Sequence, residues 1–231
     1  MLRGAFVLWA LLSATPACAQ VSGSATLLSD YRYRGISLSD GQPAAQLSVA
    51  YDLPGGAYAG VLASSVRFAQ PGGPDALLLP YVGYAHRLRP GLTWEVGAQY
   101  SRFVGSCDWC YAEWYAGLSS EHFGGRIYYA HDYFGRAPTV YAELNGTHVL
   151  SARLRALGHI GALRSGRIDE GDDTVDRYRY DLRIGFALTL RACEMQLTWG
   201  TTGGGDGFYS RDQPYKPPDR NAWVFALSHP W

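Results

Sequence analysis

Residues 92–101 read Leu92-Thr93-Trp94-Glu95-Val96-Gly97-Ala98-Gln99-Tyr100-Ser101, with every odd position polar or glycine and every even position apolar or aromatic. A period of two is the mark of a β-strand with unlike faces. The same pattern runs through 177–186. There Tyr178, Tyr180, Leu182, Ile184 and Phe186 oppose Arg177, Arg179, Asp181, Arg183 and Gly185. It also runs through 21–34, where Val21, Gly23, Ala25, Leu27, Ser29, Tyr31 and Tyr33 interleave with Ser22, Ser24, Thr26, Leu28, Asp30, Arg32 and Arg34. A soluble sandwich alternates too, but its polar face meets water on the outside. Here several apolar faces carry Tyr or Trp near one end, as the aromatic girdle of a barrel in a lipid interface requires.

Extending outward, the pattern predicts twelve strands, at about 21–33, 43–53, 57–68, 77–88, 92–103, 110–119, 125–134, 139–147, 153–163, 176–188, 194–201 and 221–231. An even number suits a single-chain antiparallel barrel with both ends on the periplasmic side. The connections agree. Those at 53–56, 89–91 and 190–193 are tight, whereas 34–42, 164–175 and 202–220 are long, so short periplasmic turns and long external loops largely alternate. The short link at 135–138 falls where a long loop is expected. In the last strand Trp223, Phe225, Leu227, His229 and the terminal Trp231 share one face, the pattern by which outer-membrane barrels are recognised for assembly. The expected fold class is therefore all-β, a closed antiparallel transmembrane barrel occupying 20–231.

Residues 1–19 are expected to be a cleaved signal peptide. Met1-Leu2-Arg3 supplies the positive start, Phe6 to Leu12 an apolar core and Ala17-Cys18-Ala19 a small-residue cleavage pattern. Lipidation of Cys18 is the rival, disfavoured by Thr15 and Pro16 where an aliphatic residue should precede it. No later stretch reaches 18 apolar residues, so spanning helices are excluded. Net charge is zero and no basic block appears, which argues against a nucleic-acid partner. After cleavage three cysteines remain. Cys107-Asp108-Trp109-Cys110 is expected to form a small local disulfide, because zinc would need a second pair of ligands and redox chemistry a βαβ setting that this chain lacks. Neither metal nor cofactor is expected.

The segment Ser29-Asp30-Tyr31-Arg32-Tyr33-Arg34-Gly35-Ile36-Ser37-Leu38-Ser39-Asp40-Gly41 resembles the opening motif of the TorF family of outer-membrane porins, conserved hypothetical proteins grouped as Gcw_chp. Tyr58-Ala59-Gly60-Val61-Leu62-Ala63-Ser64-Ser65-Val66 and Tyr111-Ala112-Glu113-Trp114-Tyr115-Ala116-Gly117-Leu118-Ser119 are similar to later blocks of that family, and the similarity spans nearly the whole mature chain. The chain departs from the family pattern at the Cys107/Cys110 loop and at 203–220. The resemblance implies a porin-like role without a settled substrate.

Strand parity then places charges inside. Arg32, Arg34, Glu113, Asp132, Glu143, Arg177 and Arg179 are expected in the external half of the lumen, and Glu95 and Glu194 nearer the periplasmic end. Opposed charges at a constriction select solutes by charge and dipole; the same residues could equally be a salt-bridge network that fills a narrow barrel. A phospholipase-type barrel, with His and Ser two apart on one strand, is unsupported. His86, His122, His131, His148, His159 and His229 are followed two positions on by Leu88, Gly124, Tyr133, Leu150, Gly161 and Trp231. Gly203-Gly204-Gly205-Asp206-Gly207 lacks the ending of a phosphate loop. Asp169-Glu170-Gly171-Asp172-Asp173 reads as a solvated loop tip. The expected function is a channel for small hydrophilic solutes or ions, and the alternative a closed structural or surface-interaction barrel. Its expected partners are outer-membrane lipid, lipopolysaccharide and the barrel assembly machinery.

Overall fold

A computed structural model describes residues 20–68, 73–105, 107–166, 178–204 and 220–231. Twelve long strands close into one antiparallel barrel: β1 (Gln20–Leu28), β4 (Ala44–Asp52), β5 (Ala57–Ser65), β6 (Ala76–Arg89), β7 (Leu92–Val104), β8 (Tyr111–Ser119), β9 (Phe123–Tyr133), β10 (Ala137–Val149), β11 (Leu154–Ser165), β12 (Tyr178–Leu190), β13 (Cys193–Gly204) and β14 (Asn221–Pro230). Two very short strands, β2 (Arg32–Tyr33) and β3 (Ile36–Ser37), pair with each other as a separate ribbon. Among the described residues no helix is long and apolar enough to cross a membrane.

Each barrel strand pairs with its sequence neighbours, and the ring is sealed by β1 against β14, with Leu27 opposite Leu227 and Ser24 opposite Pro230. The terminal residue completes this seam. Trp231 exchanges backbone hydrogen bonds with Gly23 at 3.0 and 3.2 Å, and its indole lies where a β-carbon on residue 23 would stand. A sheet without an edge is what lipid demands, because hydrocarbon offers no partner for an unpaired amide.

Alternation is kept along the strands. Val21, Leu27, Leu47, Val82, Trp114, Ile127, Leu144, Ile160, Phe186, Leu197, Trp223 and Phe225 are all exposed on the outer wall, although they are large and apolar. On a soluble protein such a belt would be an aggregation surface; facing acyl chains it is the favourable state. Inward-facing glycines receive cross-strand tyrosines. Tyr58 lies over Gly83, Tyr81 over Gly60 and Tyr115 over Gly97, each ring at 2.3–2.4 Å from where a β-carbon would be. These pairs pack the wall and lock its register.

The two ends differ as the connection lengths imply. Turns at 53–56, 90–91, 120–122, 150–153 and 191–192 lie at the end that also holds Gln20 and Trp231. The strand ends that bound the intervals 29–43, 66–75, 105–110, 166–177 and 205–220 lie at the other, together with the short link 134–136 that breaks the rule. At the turn end, Gly56 has φ of 100° and its β-carbon would strike the Ala85 carbonyl at 2.2 Å, so only glycine closes that hairpin.

Two expectations need correction. β1 does not run to residue 33: it stops at Leu28 and the chain folds into the barrel through residues 29–43. The cause is local. The Asp30 carboxylate accepts hydrogen bonds from Ser37 Oγ, Ser39 Oγ and Arg32 Nε at 2.5, 3.1 and 2.8 Å, which cross-links a hairpin of its own. Arg34 and Gly35, with φ of 51° and 79°, make its tip. Asp132 does not line the lumen either. A bulge where β9 meets β10, between Ala137 and Thr139, shifts the parity, leaving Asp132 exposed and burying Tyr133 completely.

Replacing Val82, mid-strand on the outer wall, with Arg is expected to destabilise the folded barrel by about 2–4 kcal/mol in a bilayer. Urea unfolding in lipid vesicles measures this; an unchanged midpoint would mean that this wall does not face hydrocarbon.

Candidate functional site

The inward hairpin divides the lumen into two unlike halves. In the loop-end half, Leu77, Phe103, Tyr111, Tyr133 and Tyr141 pack around Leu38 and Ser37 with almost no exposure. Toward the turn end, inward residues such as Glu95, Gly97, Arg126, Asn145 and Gln196 keep partial exposure. The hairpin is anchored on both sides. Leu38 accepts a hydrogen bond from the Arg67 amide at 2.8 Å, and Thr202 Oγ1 donates to the Gly35 carbonyl at 2.8 Å. A β-carbon at residue 35 would lie 2.3 Å from Thr202 Oγ1 and 2.8 Å from Asp181 Cβ. The tip is therefore wedged against β12 and β13, where no residue but glycine fits.

Across the lumen the tip is held by Arg34. Its guanidinium donates to both oxygens of Glu113 on β8, Nη1 to Oε1 at 2.7 Å and Nη2 to Oε2 at 3.0 Å. Gln99 Nε2 and the Tyr33 hydroxyl donate to the same Oε2 at 2.7 and 3.2 Å. Four tyrosine rings surround the cation, Tyr141, Tyr128, Tyr33 and Tyr133, with centroids 4.4–5.3 Å from Arg34 Cζ. Both side chains of the pair are nearly inaccessible, at 4% and 2%. Burial by itself would loosen the Arg34 proton. The facing Tyr33 and Glu113 outweigh it, so the guanidinium is held still more firmly protonated than usual. Burial drives the Tyr33 and Tyr31 hydroxyls well above their ordinary range, so neither ionises near neutrality.

Other charges in the lumen are mostly paired. Arg32 bonds Asp30, and Arg126 makes two bonds to Glu95, at 2.6 and 3.0 Å, with the Tyr58 hydroxyl donating to Glu95 at 2.7 Å. In register, Gly117 separates Glu95 from Arg126, and its missing side chain lets them meet. Arg155 pairs with Glu194 near the turn end. His159 lies between Asn145 Oδ1 and Asp181 Oδ1, 2.7 Å from each, and the Tyr141 hydroxyl donates to Asp181 at 3.2 Å.

Of the residues singled out from the sequence, Arg34, Glu113 and Glu143 share one luminal region, Arg179 is buried on β12, and Glu95 and Glu194 lie nearer the turn end. Arg32 is present but serves the hairpin itself. Arg177 lies outside the described residues, as do the acidic run 169–173 and residues 205–219. Sequence reasoning passed over Arg126, His159, Asp181 and Arg183. Arg126 shares the parity that pointed to Asp132, and Asp181 and Arg183 alternate with Arg179, so the signal was present. Cys107 and Cys110 stand as two thiols with sulfurs 2.7 Å apart, on a 3-10 turn (Cys107–Trp109) capping the loop end. Burial, then the contact with Cys107, pushes the Cys110 thiol up. No group of metal-ligating side chains is found among the described residues.

Residues 13–230 match the family model described as "Bacterial protein of unknown function (Gcw_chp)". The chain belongs to this family. No curated protein sequence matches. Among solved structures, the NanC porin aligns with a TM-score of 0.59 at 11% identity, covering 91% of this chain and 99% of that one. The KdgM porin aligns at 0.53 and 5% identity, over 90% and 97% of the two chains. LpxR from Salmonella typhimurium aligns at 0.50 and 6% identity, over 91% and 99%. At such identities the likeness is one of fold: this Gcw_chp member shares the closed antiparallel β-barrel of those proteins.

Arg34→Ala leaves a buried Glu113 without its partner and should cost about 3–5 kcal/mol, whereas the double change Arg34→Met with Glu113→Gln should recover most of that loss. Chemical denaturation of the three barrels provides the comparison; equal losses in the single and double variants would show that the pair does not act as a unit.

Proposed function

We propose that this chain is an outer-membrane channel for small hydrophilic solutes or ions, closed at its loop end by the hairpin of residues 29–41. This is the role the TorF resemblance implies. The observation that carries it is the nature of the closure. What stands across the lumen is not a layer of wall side chains alone but one short segment, joined to the wall through a few side-chain contacts at its tip: Arg34 and Tyr33 to Glu113 on β8, Gln99 on β7 to Tyr33, and Thr202 on β13 to Gly35. Such a segment can leave the lumen while the barrel hydrogen bonds stay intact, which a salt-bridge network spread over the wall cannot. The polar, partly exposed turn-end half supplies the vestibule behind it.

In this reading the turns and both termini of the mature barrel face the periplasm, the long connections face outward toward lipopolysaccharide, and residues 1–19 are removed on export by signal peptidase. The belt headed by Trp223, Phe225 and Leu227, with Trp231 in the seam, is the surface presented to the assembly machinery. Cys107 and Cys110 are proposed to oxidise to a disulfide in that compartment, stiffening the 3-10 turn above the plug. We propose no enzymatic role. Both ring nitrogens of His159 are taken up by Asn145 and Asp181, which leaves none to accept a proton from a nucleophile.

Planar-bilayer recording tests the channel. The unmodified barrel should be mainly closed, and Arg34→Ala combined with Glu113→Ala should raise its open probability and conductance several-fold. Should the double variant, verified as folded by its heat-modifiable migration, pass no current at any voltage, the barrel is a sealed structural or surface-interaction protein instead.

A further inference from the structure

A cavity of about 330 Å³ lies inside the barrel around the hairpin tip, walled by β10 to β13 on one side and by Leu62, Leu79, Gln99 and Tyr128 on the other. The charged side chains lining it are Arg32, Arg34, Glu143, His159, Asp181 and Arg183. Most are already satisfied: Arg32 by Asp30, Arg34 by Glu113, and His159 and Asp181 by each other. Two are not. Arg183, exposed to the lumen on β12, makes no hydrogen bond or ion pair with any described residue. Glu143 on β10 accepts only the Tyr128 hydroxyl, at 3.2 Å, and faces no cationic partner among the described residues.

The register explains why these two are left over. Glu143 stands opposite Arg126, but Arg126 turns across Gly117 to give two bonds to Glu95, and its third, from Nη1 at 3.4 Å, goes to the Tyr128 hydroxyl and not to the Glu143 carboxylate. On its other side Glu143 stands opposite Gly161, beyond which comes Asp181. Having no side chain, Gly161 leaves the room in which Tyr141 and Asp181 meet. Arg183 stands opposite His159, and His159 opposite Asn145, so its neighbour across the wall is a ring already held at both nitrogens. The uncommitted cation and the uncommitted anion are thus two strands apart and offset by two residues, a backbone separation of about 12 Å from strand spacing and rise. Both side chains reach inward from there into the one cavity.

We infer that this cavity binds a small zwitterionic solute, of free amino-acid size, whose carboxylate pairs with Arg183 and whose ammonium pairs with Glu143. Unpaired opposite charges at fixed positions favour a ligand carrying both signs, because a simple anion would leave Glu143 unmatched and a simple cation would leave Arg183 so. Tyr31, Tyr33 and Tyr141 supply aromatic wall on the hairpin side and beside it, where an apolar side chain can rest. The inference names the solute class for the proposed channel, resting on that reading for transport but not for binding.

Isothermal titration of the refolded mature barrel in detergent with three matched probes tests it: leucine, 4-methylpentanoate, which lacks the ammonium, and 3-methylbutylamine, which lacks the carboxylate. Leucine should bind about tenfold or more tighter than either, the loss expected for one missing charged hydrogen bond. Arg183→Gln should weaken leucine about tenfold or more, to the level of 3-methylbutylamine, Arg183→Lys should restore part of it, and Glu143→Gln should make leucine no better than 4-methylpentanoate. Equal affinity for the three probes, no binding of any, or leucine binding unweakened in both glutamine variants overturns the inference. Leucine binding by a barrel that never conducts would overturn the channel and leave the site standing; conduction without leucine preference would do the reverse.

Discussion

Hydrocarbon gives an amide or carbonyl nothing to bond with, so the seam between β1 and β14 is the constraint on which the rest of this structure depends. Eleven further pairings join barrel strands consecutive along the chain, but the seam must join the first barrel strand to the last. It is closed by register pairing from Ser24 to Leu28 and finished by Trp231 on Gly23. Once closed, the barrel forces every strand to choose between lipid and lumen at each residue. The exposed belt of Leu, Val, Ile, Phe and Trp follows from that choice, as does the collection of nearly all well-defined ion pairs on the inside.

An enclosed interior then has to be filled or wetted, and the two halves of this lumen solve the problem differently. The loop-end half is filled, by aromatic side chains and by a segment borrowed from the first connection. A cation placed there costs several kcal/mol in lost hydration, and a carboxylate costs a similar amount. Arg34 offsets that by two charge-assisted bonds and four aromatic faces, and Glu113 by four donors. The arrangement is stable only while it is complete, because either charge left behind would be buried without its partner. The turn-end half stays wet, and there pairs such as Arg126–Glu95 are partly exposed and correspondingly weaker.

Strand number, pairing sense, the unlike ends and the lipid-facing residues were all legible in the sequence, because a period of two survives any average over composition. What was not legible came from local chemistry that keeps the alternation while abandoning the sheet. Residues 29–34 alternate as well as any strand, yet Asp30 with Ser37 and Ser39 makes a competing hairpin seven to nine residues long in reach, and Gly35 permits its turn. The one-residue bulge after Ala130 is likewise invisible to periodicity, and it exchanged Asp132 for Tyr133. Pairing partners lay beyond reach for another reason: Glu95 finds Arg126 over Gly117, a relation set by the register of three strands and not by spacing along the chain.

The placement of glycine inside the barrel decides which charges are spent on each other. A side chain at 117 would separate Arg126 from Glu95, and Arg126 would then turn to Glu143, its other neighbour in register. A side chain at 161 would part Tyr141 from Asp181 and free the carboxylate that now holds His159. The wall therefore keeps one anion and one cation uncommitted through two absences, while every ion pair around them is satisfied. The other charges lining the cavity are paired, whereas Arg183 is exposed and Glu143 half-exposed to it, so both can take a ligand's groups without first breaking a bond to another charge. That they are kept apart by residues too small to do anything else is the physical reason to regard the cavity as a site for a solute and not as leftover space.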